Sequence, residues 1–147
     1  PVESLYKAWS TQQGNAFGAT RGLYLGDPAR HLSQVYRELA IEVPAEFASM
    51  PDHLTLELEL LALLLDAGNG EAARQLAADH LDWLDECDAA LADRADIVAH
   101  NEALPSVRRR NLLDGIAFLR ALAALAQRTV GEALAFANAA EGEAVAV

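Results

Sequence analysis

Cysteine is almost absent from this chain: Cys87 stands alone, so no internal disulfide can form and no Cys-x-x-Cys spacing exists for a metal or a redox pair. That usage reads as cytoplasmic. Long apolar runs are missing too. None exceeds the six residues of Leu60 to Leu65, well short of the roughly 18 of a membrane span. No charged start followed by an apolar stretch and a cleavage site is visible, so no secretory signal is read. Basic residues are scarce, 11 against 22 acidic, for a net charge of −11. Such a surface repels phosphate backbones and attracts basic peptides.

Several chemistries lack their letters. No glutamate is followed three residues later by histidine, which removes a di-iron four-helix bundle. Neither Gly-x4-Gly-Lys-Ser/Thr nor Gly-x-Gly-x-x-Gly occurs, so the usual phosphate-cradling loops are absent, and no Ser or Cys nucleophile motif is recognisable. His53 and Glu57 stand at i and i+4, but no second-ligand spacing joins them, and no metal and no cofactor is expected. Arg108-Arg109-Arg110 is the one basic cluster, too small for nucleic acid and read first as a solvated turn.

What is present is helical. With 147 residues, 52% of them hydrophobic, the chain suits a single core-bearing domain, expected over 1–138 with a flexible tail over 139–147. Asp27-Pro28 opens a helix carrying Leu32, Val35, Tyr36 and Leu39 on one face. A central helix is predicted from Pro51 to Ala67, ended by Gly68-Asn69-Gly70. A surface helix follows over 71–91, its buried stripe including His80, with Trp83 partly exposed or clamped between helices. A short piece over 95–102 and a long helix over 107–134 complete the set, the last with Leu112, Ile116, Leu119, Leu122, Ala123 and Leu125 inward and a break or bend at Gly131. The four glycines Gly14, Gly18, Gly22 and Gly26, every fourth residue, read as irregular structure because glycine weakens a helix interior. The class is all-α, a helical bundle with short links.

The most informative stretch is Met50-Pro51-Asp52-His53-Leu54-Thr55-Leu56-Glu57, where an ionisable pair opens an apolar helix. Asp52 is expected near the orphan amides at the helix start, as a cap, and His53 at the same end is expected to favour its neutral form. A carboxyl group beside a neutral imidazole accepts hydrogen bonds from a cationic or amide-rich ligand. The alternative reading makes Asp52 a cap and His53 a half-buried first-turn residue.

Pro51-Asp52-His53-Leu54, continued through Leu56-Glu57-Leu58-Glu59-Leu60-Leu61, is similar to the Asp-His signature of the TorD/DmsD/NarJ family of redox-enzyme maturation chaperones. Pro1-Val2-Glu3-Ser4-Leu5-Tyr6 resembles the family's Pro-Trp-Glu-Ser-x-Tyr element, with Val2 in place of the aromatic residue. Val35-Tyr36-Arg37-Glu38-Leu39 resembles its helix upstream of the Asp-His step. The likeness covers most of residues 1 to 128, and the chain begins inside a family motif, so helices before Pro1 are expected to be missing.

The resemblance implies a chaperone without catalytic residues. Its partner would be the catalytic subunit of a molybdopterin-dependent oxidoreductase, bound through a twin-arginine leader peptide or as the apo-form until the cofactor is inserted. By the same resemblance Asp52 and His53 accept hydrogen bonds from the leader, and Glu3, Ser4 and Tyr6 line the same groove. Trp9 and Glu57 join them as candidates, Trp9 because it stands close to Tyr6. Arg108 to Arg110 could then meet an acidic patch on the client. The rival reading is a structural helical adaptor or dimerisation module, and a homodimer or helix-exchanged oligomer is among the expected states. An enzyme using Asp52 and His53 as an acid/base pair would need a nucleophile or cofactor site that the letters lack.

Overall fold

The structure, a computed structural model, describes the backbone of residues 1–145 and the side chains of residues 1–139. Among the described residues it is helical, as expected for an all-α chain; the only extended pairing among them is one antiparallel bridge between Val2 and His53. None of the described helices is long and apolar enough to cross a membrane. The chain forms two compact units, Pro1–Trp83 and Leu84–Val147.

In the first unit, α1 (Asp27–Glu38) buries Ala29, Leu32 and Tyr36, residues spaced three and four apart on one face. Asp27 occupies its first turn, where the carboxyl accepts the Thr11 amide at 3.0 Å and pairs with Arg30 at 2.9 Å. The glycine-rich stretch before it is irregular, as its composition predicts. Gly14 and Gly22 both have φ of +81°, and the fourfold spacing marks turns rather than a helix face. The stretch is closed by backbone bonds from Trp9 to Thr20 and from Ser10 to Gly18, both 2.9 Å.

The central helix α2 (Leu54–Asp66) starts three residues later than its proline suggests. The N-terminal segment has taken the backbone there: the Glu3 amide donates to the Asp52 carbonyl at 3.0 Å and the Leu54 amide to the Pro1 carbonyl at 3.1 Å. His53 is consequently extended and acts as the N-cap, its Nδ1 accepting the Thr55 amide at 3.2 Å. Asp52 is therefore not the cap. α2 buries Leu56, Glu57, Leu60 and Leu61 but leaves Leu63 53% exposed, so it is less central than its composition suggests.

The helix expected over 71–91 is two helices, α3 (Gly70–His80) and α4 (Leu84–Ala99), and the piece expected at 95–102 is largely the end of α4. Trp83 explains the break. It is fully buried, not half-exposed, and its indole N–H donates to the His80 carbonyl at 2.8 Å, the acceptor that a continuing helix would offer to the Leu84 amide.

The second unit is a hairpin of α4 and α5 (Ser106–Val145). Arg120 holds both oxygens of Asp88, at 2.7 and 2.8 Å, and Gln127 donates to Asp85 at 2.5 Å, which fixes the antiparallel register. Arg109 closes the link between the helices by donating to the carbonyls of Asn101 (2.8 Å) and Leu104 (3.2 Å), so one member of the arginine cluster is a brace. α5 runs through Gly131 without a break. Among its described side chains Ile116, Ala123 and Val130 are buried, seven apart, whereas Leu112, Leu119, Leu122 and Leu125 are exposed rather than inward. The ties from Arg120 and Gln127 turn a different face toward α4 than the leucines would choose. The tail expected over 139–147 lies, apart from residue 139, outside the described side chains.

Candidate functional site

The Val2–His53 bridge brings the two family-like elements together, and their polar side chains turn inward. Ser4 donates its backbone amide (2.7 Å) and its hydroxyl to Oδ2 of Asp52. Glu3 sends its carboxyl the other way: Oε1 pairs with Lys7 Nζ at 2.9 Å and Oε2 lies 2.8 Å from His80 Nδ1. His80 Nε2 in turn lies 2.7 Å from His31 Nδ1, with the two rings stacked. An N–H on Nδ1 of His80 serves Glu3, so a neutral His80 accepts from His31. Glu57 receives the Trp83 indole N–H at 3.2 Å. Glu3, Ser4, Asp52 and Glu57 are all fully buried.

Burial on this scale sets the protonation states. Glu57 is pushed up to about 10, first by loss of water and then by the charge of Glu3, so it carries its proton at neutral pH. Tyr36 is raised above the ordinary phenol value by burial and by Glu57 and Asp52. Burial works against the Lys7 ammonium, but Asp82 and Glu3 outweigh it and the group stands above the usual lysine value. Lys7 also reaches Asp82 at 2.5 Å and the Asp79 carbonyl at 2.7 Å, which clamps the end of α3 to the N-terminal segment. Asp52 Oδ1 and Tyr36 Oη are buried with no hydrogen-bond partner, which favours the neutral form of Tyr36, and the protonated Glu57 carboxyl hydrogen-bonds that of Glu3.

The predicted site residues thus fall into two sets. His53, Tyr6 and Trp9 reach solvent in part, whereas Asp52, Glu3, Ser4 and Glu57 do not. His53 is lowered below the ordinary imidazole value by partial burial, in keeping with the neutral form expected of it, and packs on Phe47 with ring centres 5.1 Å apart. Tyr6 stacks on Trp83 at 5.2 Å. Trp9 is held by its N–H to the Tyr24 carbonyl at 3.0 Å, with Arg30 4.2 Å above its ring. No group of three or more His, Cys, Asp and Glu side chains among the described residues is arranged to hold a metal ion.

Sequence reasoning missed the partners that organise this cluster: Lys7, His31, and the role of His80. A histidine within the apolar stripe of 71–91 was the available signal, since a buried imidazole needs a polar partner. It also missed a shallow cleft of about 100 Å³ between the end of α1 and α2. Ile41, Val43, Pro44, Leu56, Leu60 and Leu63 form its apolar walls, with Tyr36, Glu42 and Glu59 also lining it. Its volume is below the about 300 Å³ at which ligand pockets begin and suits a single apolar side chain.

A family model described as nitrate reductase delta subunit matches residues 1–96. No curated protein and no solved structure matches the chain. The matched stretch contains the whole polar cluster and the cleft. Members of this family are maturation chaperones for molybdoenzymes, assembly factors rather than catalysts, and work with a nitrate reductase catalytic subunit. With its Pro1–Tyr6 element bridged to its Pro51-Asp52-His53 step inside that stretch, the chain belongs to the nitrate reductase delta subunit family of TorD-like redox-enzyme maturation chaperones.

Proposed function

We propose that this chain is a cytoplasmic chaperone that binds the leader segment, or the apo-form, of a molybdopterin-dependent oxidoreductase catalytic subunit and holds it until the cofactor is inserted. The observation that carries this reading is the cleft between α1 and α2. Six apolar residues line it, Glu42 and Glu59 line it too, and the chain has a net charge of −11. Apolar walls beside carboxyl groups suit a segment that alternates large apolar side chains with arginines, the chemistry of a helix or turn seated in a groove.

In this reading His53, Tyr6 and Trp9 touch the client, since they reach the surface. Asp52, Glu3, Ser4 and Glu57 act from beneath, holding the 1–6 segment on the start of α2 so that His53 keeps its position. The protein itself performs no chemistry.

Calorimetric titration with a twin-arginine leader peptide, against a paired-lysine control at low and moderate salt, tests the proposal. Binding that prefers the arginine peptide, weakens with salt and drops at least tenfold in Leu63→Asp supports it. Leu63 is exposed, so this variant should keep its far-UV helicity. No binding of either peptide would turn the search to the folded apo-subunit, and absence of binding there as well would sink the reading.

A further inference from the structure

His31 on α1 and His80 at the end of α3, 49 positions apart, join the two helices through their ring nitrogens. Nδ1 of His31 lies 2.7 Å from Nε2 of His80, and the rings stack with centres 4.9 Å apart. The far nitrogen of His80 lies 2.8 Å from Glu3, whose other oxygen is engaged by Lys7. His80 is buried and His31 is exposed, so one ring is fixed in place while the other borders water.

Counting protons shows what this contact tolerates. Two ring nitrogens 2.7 Å apart have room for one hydrogen between them, donated by one ring and accepted by the other. With both rings neutral, His80 donates to Glu3 and accepts from His31. One added proton changes nothing at the gap. If His31 holds it, the extra N–H is on its Nε2; if His80 holds it, the hydrogen in the gap belongs to His80 and His31 accepts. A second added proton leaves no acceptor. It sets N–H against N–H and stacks two cations.

We infer that the His31–His80 contact is an acid-operated latch between α1 and α3, closed while one hydrogen lies between the rings and opened when both rings are charged, with His31 turning out to water and α1 loosening from α3. The neighbours hold their charges while it works. On the N-terminal segment Lys7 stands above the usual lysine value and stays charged beside Glu3, and on α2 Glu57 keeps its proton. On α1 Asp27 and Arg30 pair with each other in the turn before His31, on α3 Asp79 accepts from Gln75, and past its end Asp82 pairs with Lys7. The open form holds one proton more than the singly protonated closed form. Opening therefore grows about tenfold for each unit by which the pH falls, in the range below about 6.5 where a free imidazole is charged.

Native-state hydrogen exchange of the full chain at pH 6 and pH 5, corrected for the intrinsic exchange rates, tests the latch together with ring nitrogen spectra of protein labelled in histidine. The expected result is a rise of about tenfold in the opening of the α1 amides over that unit of pH, with the hydrogen shared between His31 and His80 disappearing from the ring spectra over the same range. His31→Asn keeps a side chain that can donate or accept at the gap and removes the second charge, and the exposed position should keep its far-UV helicity. Its α1 opening should change less than about twofold between the same two pH values, whereas His100→Asn, in the other unit, should retain the wild-type rise. Wild-type α1 protection that ignores pH, a shared hydrogen that survives with both rings charged, or an equal rise in His31→Asn would each overturn the inference.

Discussion

Ser4 and Asp52, separated by 48 positions in sequence, meet through two hydrogen bonds to a single carboxyl oxygen, one from the Ser4 backbone amide at 2.7 Å and one from its hydroxyl. This contact converts two distant motifs into one buried unit. Removing either partner strands the other in a fully buried site.

Replacing Asp52 by Ala should cost about 2–4 kcal/mol and Ser4 by Ala about 1–2 kcal/mol, as expected for buried donors and acceptors left unpaired. The double variant should lose less than the two separate losses together, because both act on one contact. Urea denaturation of the four proteins measures the difference, and strict additivity would show that the two residues act independently.

Glu57 makes stability fall as pH rises. The folded protein keeps that proton up to about pH 10, while the unfolded carboxyl loses it near 4.5, so between those values the unfolded state is the more ionised. The contribution of Glu57 is therefore fully present below 4.5 and is lost progressively toward 10. Glu57→Gln keeps the acceptor for Trp83 and removes the titration. Melting at pH 5 and pH 8 should show a flatter profile for the variant, with a gain at pH 8 of order 5 kcal/mol. Parallel profiles would mean that Glu57 is ionised in the fold.

Lys7→Met keeps the length of the side chain and deletes the charge that faces buried Glu3, which is fully enclosed. A loss of about 2–4 kcal/mol is expected, the typical effect of leaving one member of a buried ion pair alone. Chemical denaturation at neutral pH reads it, and a change under about 0.5 kcal/mol would match a surface pair instead.

Two glycines should respond oppositely to alanine. At Gly26 a Cβ would stand 2.8 Å from the Trp9 carbonyl oxygen, backbone that cannot swing aside, so Gly26→Ala should destabilise by about 1–3 kcal/mol. At Gly115, inside α5, a Cβ meets nothing within 4 Å, and Gly115→Ala should stabilise by about 0.5–1 kcal/mol. Thermal melts of both variants in one buffer compare them directly.

Much of the helical layout was legible because amphipathic spacing survives packing, as Leu32 and Tyr36 of α1 illustrate. Boundaries failed where a distant segment intervened. The start of α2 moved because residues 1–4 occupy its approach, and the break after His80 follows from a tryptophan that periodicity reads as one more surface-helix residue. The face of α5 was misjudged for a related reason: hydrophobicity names several candidate stripes, and the choice among them is made by Arg120 and Gln127 finding acids on α4. The Asp-His step was visible as a special site, but Lys7, His31 and His80, which hold the neighbouring Glu3 carboxyl directly or through one another, come from separate segments and share no spacing in sequence.

The way the polar cluster is assembled bears on the order of folding. Glu3 must find His80, 77 positions away, and Ser4 must find Asp52 before the first unit has a closed interior, so its barrier includes the closure of long loops. The α4–α5 hairpin needs only neighbours joined by a short turn. Pulsed hydrogen exchange during refolding should therefore protect the amides of α4 and α5 before those of residues 1–6 and of the first turn of α2, and a nascent chain leaving the ribosome would keep residues 1–6 and the start of α2 unpaired until α3 has emerged.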